Sequence, residues 1–250
     1  MWYNRYKITE KSIYDIPLNS WDNVPNFLNQ YKGKVSLVIN VTGDCGNAPQ
    51  YGVIQSIYEK YKDKGFEVIA IPTNEFCGPS ITYGDWKDGL SCTTGAKDAR
   101  EYAIEEYEVA YNFSELIKSK PGSPLKKDLM EKEYPGREQE FPIQLSDAEE
   151  SHELYKEISF QIAEINKTLP NNNYNQGEYM FGNFEKYLID KNGNVVKWYH
   201  NGTLMPYAHD KDSFAFLGTK IGTVEEEYKE LCQDIENLLN KWYQKKCIVG

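Results

Sequence analysis

The sequence predicts an α/β fold: a central mixed sheet flanked by helices, with a long insertion before the last β-hairpin. Three observations predict it. Two apolar runs, 37–41 and 66–72, are joined by a segment of helical periodicity, which makes a βαβ unit and two parallel strands. A second pair of strand-like runs, 184–190 and 195–199, flanks Lys191-Asn192-Gly193-Asn194, and Asn-Gly is the strongest hairpin signal in the chain. A long amphipathic helix then closes the sequence.

The 250 residues are 40% hydrophobic and 26% charged, enough for one well-filled core, and 1–250 reads as a single domain carrying loop insertions. A net charge of −10 argues against nucleic acid as a partner, because phosphate binding needs clustered Lys and Arg. No run of 18 apolar residues occurs, so neither a transmembrane helix nor a membrane partner is expected. The stretch Met1-Trp2-Tyr3-Asn4-Arg5-Tyr6-Lys7 lacks the apolar core of a signal peptide. Five cysteines (Cys45, Cys77, Cys92, Cys232, Cys247) are widely spaced, odd in number and without a CxxC pair. That usage fits a reducing, cytoplasmic compartment with one or two redox-active thiols better than a disulfide framework. His152, His200 and His209 show no zinc-ligand spacing, and no metal is expected. Sequons occur at Asn40, Asn112, Asn166 and Asn201; Asn40 lies in a core strand, where a glycan has no room, so they read as chance.

In chain order, residues 1–35 are a lead-in, with 13–18 resembling a short edge strand and 21–31 a loop with a helical turn. The strand at 37–41 passes through a short Gly-containing turn into a helix. Pro49 suits an early helical position, and Val53, Ile54, Ile57, Tyr58 and Tyr61 recur at helical spacing up to the Lys64-Gly65 stop. The strand at 66–72 leads to Thr73-Asn74-Glu75-Phe76-Cys77, which leaves the sheet at the edge where open α/β sheets hold their sites. Residues 78–95, rich in Gly, Ser and Thr, form a loop insertion carrying Cys92; 97–107 is a helix. Residues 117–150 hold four prolines and many charges with little periodicity, and read as an insertion that covers or binds something. A helix over about 151–167 and the hairpin follow. The terminal helix, at about 223–246, opens with a capping box, Thr223 and Glu226. Its stripe of Tyr228, Leu231, Ile235, Leu238 and Trp242 reads as core packing, as does Cys232. Cys247-Ile248-Val249-Gly250 has the outline of a prenylation box, but its terminal Gly is outside the usual set.

Cys45 stands where the first strand hands over to the first helix, beside unpaired backbone N–H groups and the positive end of the helix dipole. That environment lowers a thiol's pKa and makes it a nucleophile near neutral pH. The competing reading is a small buried hydrophobe, which is what most free cysteines are. A βαβ unit followed by a β-hairpin and a helix, with a thiol at the first strand-to-helix junction, is the thioredoxin-like order.

The sequence also resembles the glutathione peroxidase family. Residues 31–41 (YKGKVSLVINV) look like that family's first core strand, and Asp44-Cys45-Gly46 falls where the family has its peroxidatic Cys or selenocysteine. Residues 58–68 continue the match. Pro72-Thr73-Asn74-Glu75-Phe76 is similar to the family's P-C-N-Q-F, and residues 183–193 (NFEKYLIDKNG) to its W-N-F-x-K-F-L-V-D-x-x-G. The likeness covers roughly residues 10–76, 96–116 and 151–200.

The resemblance implies a site in which a Gln, a Trp and an Asn surround the thiolate, hold the peroxide oxygens and carry a proton to the leaving oxygen. Here the Cys is Cys45 and the Asn is Asn183, while the Gln position is Glu75 and the Trp position is Gly182, preceded by Phe181. An ionised Glu75 disfavours the thiolate; a protonated one can serve as general acid, the two groups titrating as a pair. Gly182 lacks the indole donor and the aromatic wall, which implies room for something larger than hydrogen peroxide; Phe181 can refill the wall only. The plain alternative for Asn183 is a strand-end residue capping backbone groups. Where many family members carry a resolving cysteine, this chain has Ala103 and Ile104, leaving Cys77 and Cys92 as candidates by position.

The leading expectation is a thiol-dependent peroxidase that reduces hydrogen peroxide or organic hydroperoxides through a Cys45 sulfenic acid. Asn183 stabilises charge, Glu75 handles the proton, and a thiol reductant such as glutathione or thioredoxin is the co-substrate, with no other cofactor. Two alternatives stand beside it: another thiol-based oxidoreductase or biosynthetic enzyme acting on a larger substrate, and a non-catalytic redox sensor.

Overall fold

The computed structural model describes residues 11–43, 45–73, 95–119, 151–166, 182–205 and 223–246. Strand β1 (Val35–Val41) pairs in parallel with β2 (Phe66–Pro72), Val35 opposite Phe66 through to Val41 opposite Pro72. Helix α1 (Gln50–Tyr61) connects them, so the predicted βαβ unit is present. The hairpin strands β4 (Lys186–Ile189) and β5 (Val195–Tyr199) join the other side of β1, with β4 antiparallel to it. A two-residue strand, β3 (Asn112–Phe113), extends the sheet beyond β2, giving the order β3-β2-β1-β4-β5. This mixed sheet, flanked by α2 (Ala96–Tyr107), α3 (Glu153–Asn166) and α4 (Val224–Lys246), is the thioredoxin-like arrangement.

Alternation along the strands sorts the core into two layers. Leu37, Ile39 and Val68 face one layer with Ile54 and Ile57 of α1 and Leu231 and Ile235 of α4. Val38, Ile69 and Ile71 face the other with Leu154, Ile158 and Ile162 of α3. Both faces of β1 are therefore covered, which is why it reads as a largely apolar run, interrupted by Ser36 and Asn40. Helix α4 carries the expected capping box in full: Thr223 N–H donates to Glu226 Oε2 (3.0 Å), and Glu226 N–H donates to Thr223 Oγ1 (3.2 Å). Cys232 is buried in the α1–α4 layer, as packing.

The hairpin turn is tied to the lead-in segment. Gly193 has φ of 83°, its N–H donates to Asp190 O (3.0 Å), and its carbonyl accepts from Ile13 N–H (3.0 Å). A Cβ at this position would collide with Ser12 Oγ, so glycine is required on both backbone and steric grounds.

One sequence expectation fails here. Residues 13–18 do not form an edge strand: Ile13–Asp15 is a single 3₁₀ turn, and Ile13, Tyr14, Ile16 and Leu18 are buried in the α3 layer. Tyr14 turns its hydroxyl to Lys34 O (3.0 Å) and Ser36 Oγ (2.7 Å), satisfying the polar end of a buried ring. The apolar spacing reflected burial against the sheet, not pairing at its edge. Of the two expected insertions, 78–94 and 120–150 lie outside the described residues.

Candidate active site

The site is assembled at the C-terminal end of β1 by side-chain amides. Asn40 is a polar residue in an otherwise largely apolar, fully buried strand. Its Nδ2 donates to Gly182 O (2.9 Å), its Oδ1 accepts from Glu185 N–H (2.7 Å), and its carbonyl accepts from Phe184 N–H (2.7 Å). One residue of β1 thus fixes the turn that leads into β4. Asn47, at the entry to α1, adds a bond from its Nδ2 to Asn183 O (3.2 Å). Within that turn Phe184 adopts φ of 69°, a left-handed conformation rare for an aromatic residue, and its ring packs edge-on against Tyr51 of α1, centroids 4.9 Å apart.

Cys45 lies between this turn and the start of α1. Its carbonyl accepts from Ala48 N–H (2.8 Å), beginning the turn that Gln50 N–H to Asn47 O (3.1 Å) carries into the helix. The half-buried thiol meets two donors: the backbone N–H of Asn47 at 3.4 Å and Nδ2 of Asn183 at 3.8 Å. Hydrogen bonds to sulfur favour its thiolate over its thiol. Asn183 itself is nearly buried, and its Oδ1 accepts no hydrogen bond among the described residues.

On the far side of the turn, the buried side chain of Gln50 donates from Nε2 to Asn201 O (2.6 Å). That bond holds the segment after β5, and the Asn201 amide occupies the place that a Cβ on Gly182 would enter. The expectation that Gly182 opens room for a larger substrate therefore meets an occupied space: a residue from the opposite side of the hairpin fills it.

Beneath these groups is a buried ionic cluster. Lys186 is fully buried and donates from Nζ to Phe184 O (2.6 Å) and His200 O (3.0 Å). Burial pulls its pKa down to about 7, opposed by the nearby carboxylates of Glu185 and Glu227. Glu185 accepts from Trp198 Nε1 (2.6 Å), and Glu227 from Leu204 N–H (2.8 Å). Burial, with Lys186 adding to it, holds His200 down at about 3, so its ring is neutral and its Nδ1 accepts from Gly202 N–H (3.0 Å).

The structure brings Cys45, Gly182 and Asn183 together. Glu75, Cys77, Cys92 and Phe181 lie outside the described residues. At the end of β2, Thr73 N–H donates to Val41 O (2.9 Å). Sequence reasoning missed Asn40, Asn47, Gln50 and Asn201. Asn40 carried a signal, a polar side chain in a buried strand, which was read only as a sequon. Among the described residues no group of three or more His, Cys, Asp or Glu is placed to hold a metal ion. A half-buried thiol with converging N–H donors can attack an electrophile as thiolate and stabilise charge on the sulfur or on an oxygen bound beside it.

The chain is similar to known proteins over part of its length. A family model described as glutathione peroxidase matches residues 13–118. The chain is 27% identical over 213 residues to "Phospholipid hydroperoxide glutathione peroxidase 1, chloroplastic" of Arabidopsis thaliana, covering 81% of this chain and 65% of that protein. It is 41% identical over 75 residues to "Glutathione peroxidase homolog BsaA" of Staphylococcus aureus, covering 30% of this chain and 48% of that one. It is 25% identical over 188 residues to "Hydroperoxy fatty acid reductase gpx1" of Synechocystis sp., covering 75% and 86%. The matched part spans just under two thirds of the first relative's length and about half of the second's.

Proposed function

We propose that this chain, which belongs to the glutathione peroxidase family, is a thiol-dependent peroxidase whose nucleophile is Cys45. The observation that carries the reading is the convergence of Asn47 N–H and Asn183 Nδ2 on the Cys45 sulfur at the strand-to-helix junction. The Cys45 thiolate attacks one oxygen of the hydroperoxide, the O–O bond breaks, and the other oxygen leaves with a proton as water or an alcohol. Cys45 is then a sulfenic acid. A first thiol condenses with it, releasing water and forming a disulfide; a second thiol exchanges into that disulfide and returns Cys45 to its reduced state.

Two relatives are named for lipid hydroperoxides, and we extend that class, with hydrogen peroxide, to this chain. The reducing thiol is a small molecule such as glutathione or a protein such as thioredoxin. Cys77 or Cys92 is the internal resolving partner if one acts, and Glu75 the proton donor to the leaving oxygen. Among the described residues no helix is long and apolar enough to cross a membrane.

Trapping tests the proposal. Wild-type protein treated with one equivalent of hydroperoxide and a sulfenic-acid-specific dione is expected to carry the adduct on Cys45. Omitting the dione is expected to give a Cys45–Cys77 or Cys45–Cys92 bridge, or a mixed disulfide once external thiol is added. The absence of both an adduct and a disulfide at Cys45 under these conditions overturns the reading.

A further inference from the structure

Lys186 is the one fully buried lysine among the described residues, and the peroxidase chemistry does not use it. A buried ammonium is costly unless charge-assisted hydrogen bonds compensate it. Among the described residues its Nζ donates to two backbone carbonyls: Phe184 O at 2.6 Å and His200 O at 3.0 Å. These carbonyls belong to the two turns that flank the site, one carrying Asn183 and the other Asn201. Phe184, the residue held at φ of 69°, is the direct neighbour of Asn183. A left-handed conformation at a bulky residue persists only where the surroundings over-determine it. Three contacts do so: the Asn40 carbonyl on the Phe184 N–H, the Tyr51 ring on the Phe184 ring, and Lys186 on the Phe184 carbonyl.

We propose that Lys186 is a positioning residue: by tying the Phe184 and His200 carbonyls together, it fixes the turn that presents the Asn183 amide to the Cys45 sulfur. The proposal deepens the peroxidase reading and rests on the same site. The charged and titratable groups facing Lys186 are Glu185 on its own strand, Glu227 on α4 and His200 after β5. The two carboxylates favour the ammonium and burial opposes it, so the clamp changes charge near neutral pH, while His200 stays neutral there.

A double-mutant cycle in the full chain tests it, using Lys186→Met and Asn183→Ala singly and together. The readout is the pH midpoint of Cys45 alkylation by iodoacetamide, located by mass spectrometry. Lys186→Met is expected to raise the midpoint by about one pH unit where Asn183 is present and to leave it nearly unmoved in the Asn183→Ala background. An equal shift in both backgrounds means that Lys186 acts on the thiol by charge alone, and overturns the proposal; so does no shift in either.

A second measurement keeps Lys186 in place, in case Lys186→Met does not fold. In a Cys45→Ser protein, which removes the thiol's own titration, the Asn183 side-chain NH₂ resonances are expected to follow a titration with its midpoint at about 7. Asn183 resonances that stay fixed while Lys186, followed by its own side-chain signal, loses its proton overturn the proposal. Neither readout involves a peroxide. If wild-type Cys45 proves inert to hydroperoxides while the cycle shows the coupling, the peroxidase reading falls and the role of Lys186 stands.

Discussion

Asn183 and Cys45 are 138 positions apart in the chain, yet Asn183 Nδ2 lies 3.8 Å from the Cys45 sulfur. The antiparallel pairing of β4 with β1 produces the meeting: it returns the chain to the end of β1 just before Cys45, and Asn40 fixes the turn there. The turn that carries the amide is thus fixed by the Asn40 side chain before any substrate arrives, which is what preorganised stabilisation of a developing charge requires.

Asn183→Ala is therefore expected to slow oxidation of Cys45 by hydroperoxide about a hundredfold to a thousandfold, the scale for loss of a preorganised donor. Stopped-flow or competition kinetics measure this. An unchanged rate would reduce Asn183 to a capping residue at the strand end.

Gly182 and Asn201 form a second pair whose roles are linked. Because the Asn201 amide fills the space a side chain at 182 would enter, Gly182→Trp is expected to destabilise the protein by about 1–3 kcal/mol through overpacking. Adding Asn201→Gly is expected to recover most of that loss, since it clears the same space. Urea midpoints of the single and double variants give the comparison; equal midpoints would mean that the two residues do not share the space.

These two sites show where the sequence was legible and where it was not. Strands β1 and β2 declared themselves because both faces of each are buried, and the hairpin because Asn-Gly permits its turn. Cys45 was visible from the strand-to-helix junction, and Asn183 from its motif. Asn201 carried no local signal, because its contact with Gly182 arises only once β4 and β5 pair. The pairing of Lys186 with Tyr199 brings 182–184 and 200–202 face to face, and the register shift between Leu188 and Ile189 puts it one residue away from a count back from the turn. Strand β3, two residues long, was too short to leave a pattern, and 13–18 misled because burial of a 3₁₀ turn mimics strand alternation.

Lys186 gives the stability a defined pH dependence. Its folded pKa, about 7, lies below the ordinary lysine value of 10.5, so between those values the unfolded chain binds the extra proton. Its contribution therefore makes the fold more stable as pH rises through this window, by up to about 1.4 kcal/mol per pH unit. Denaturant titrations at pH 7 and pH 9 are expected to show a wild-type gain that Lys186→Met lacks. The same slope in both proteins would place the titration elsewhere.

Gly193→Ala tests the hairpin turn. With φ of 83° and Ser12 Oγ in the path of a Cβ, it is expected to cost about 2 kcal/mol or more. The pairing of Ser12 and Gly193 predicts partial recovery on adding Ser12→Gly, visible as a shift in thermal midpoint; no recovery would mean that backbone strain alone sets the cost.

Whether Cys45 is a peroxidatic thiol is read from the second-order rate of its oxidation by hydrogen peroxide and by an organic hydroperoxide. Wild type, Glu75→Gln and Asn183→Ala should be compared at neutral pH. Wild-type Cys45 is expected to react far faster than an ordinary free thiolate, Asn183→Ala to slow it, and external thiol to restore the reduced protein. A wild-type rate no faster than that of a free thiolate, unchanged by Asn183→Ala, would contradict a peroxidatic role for Cys45.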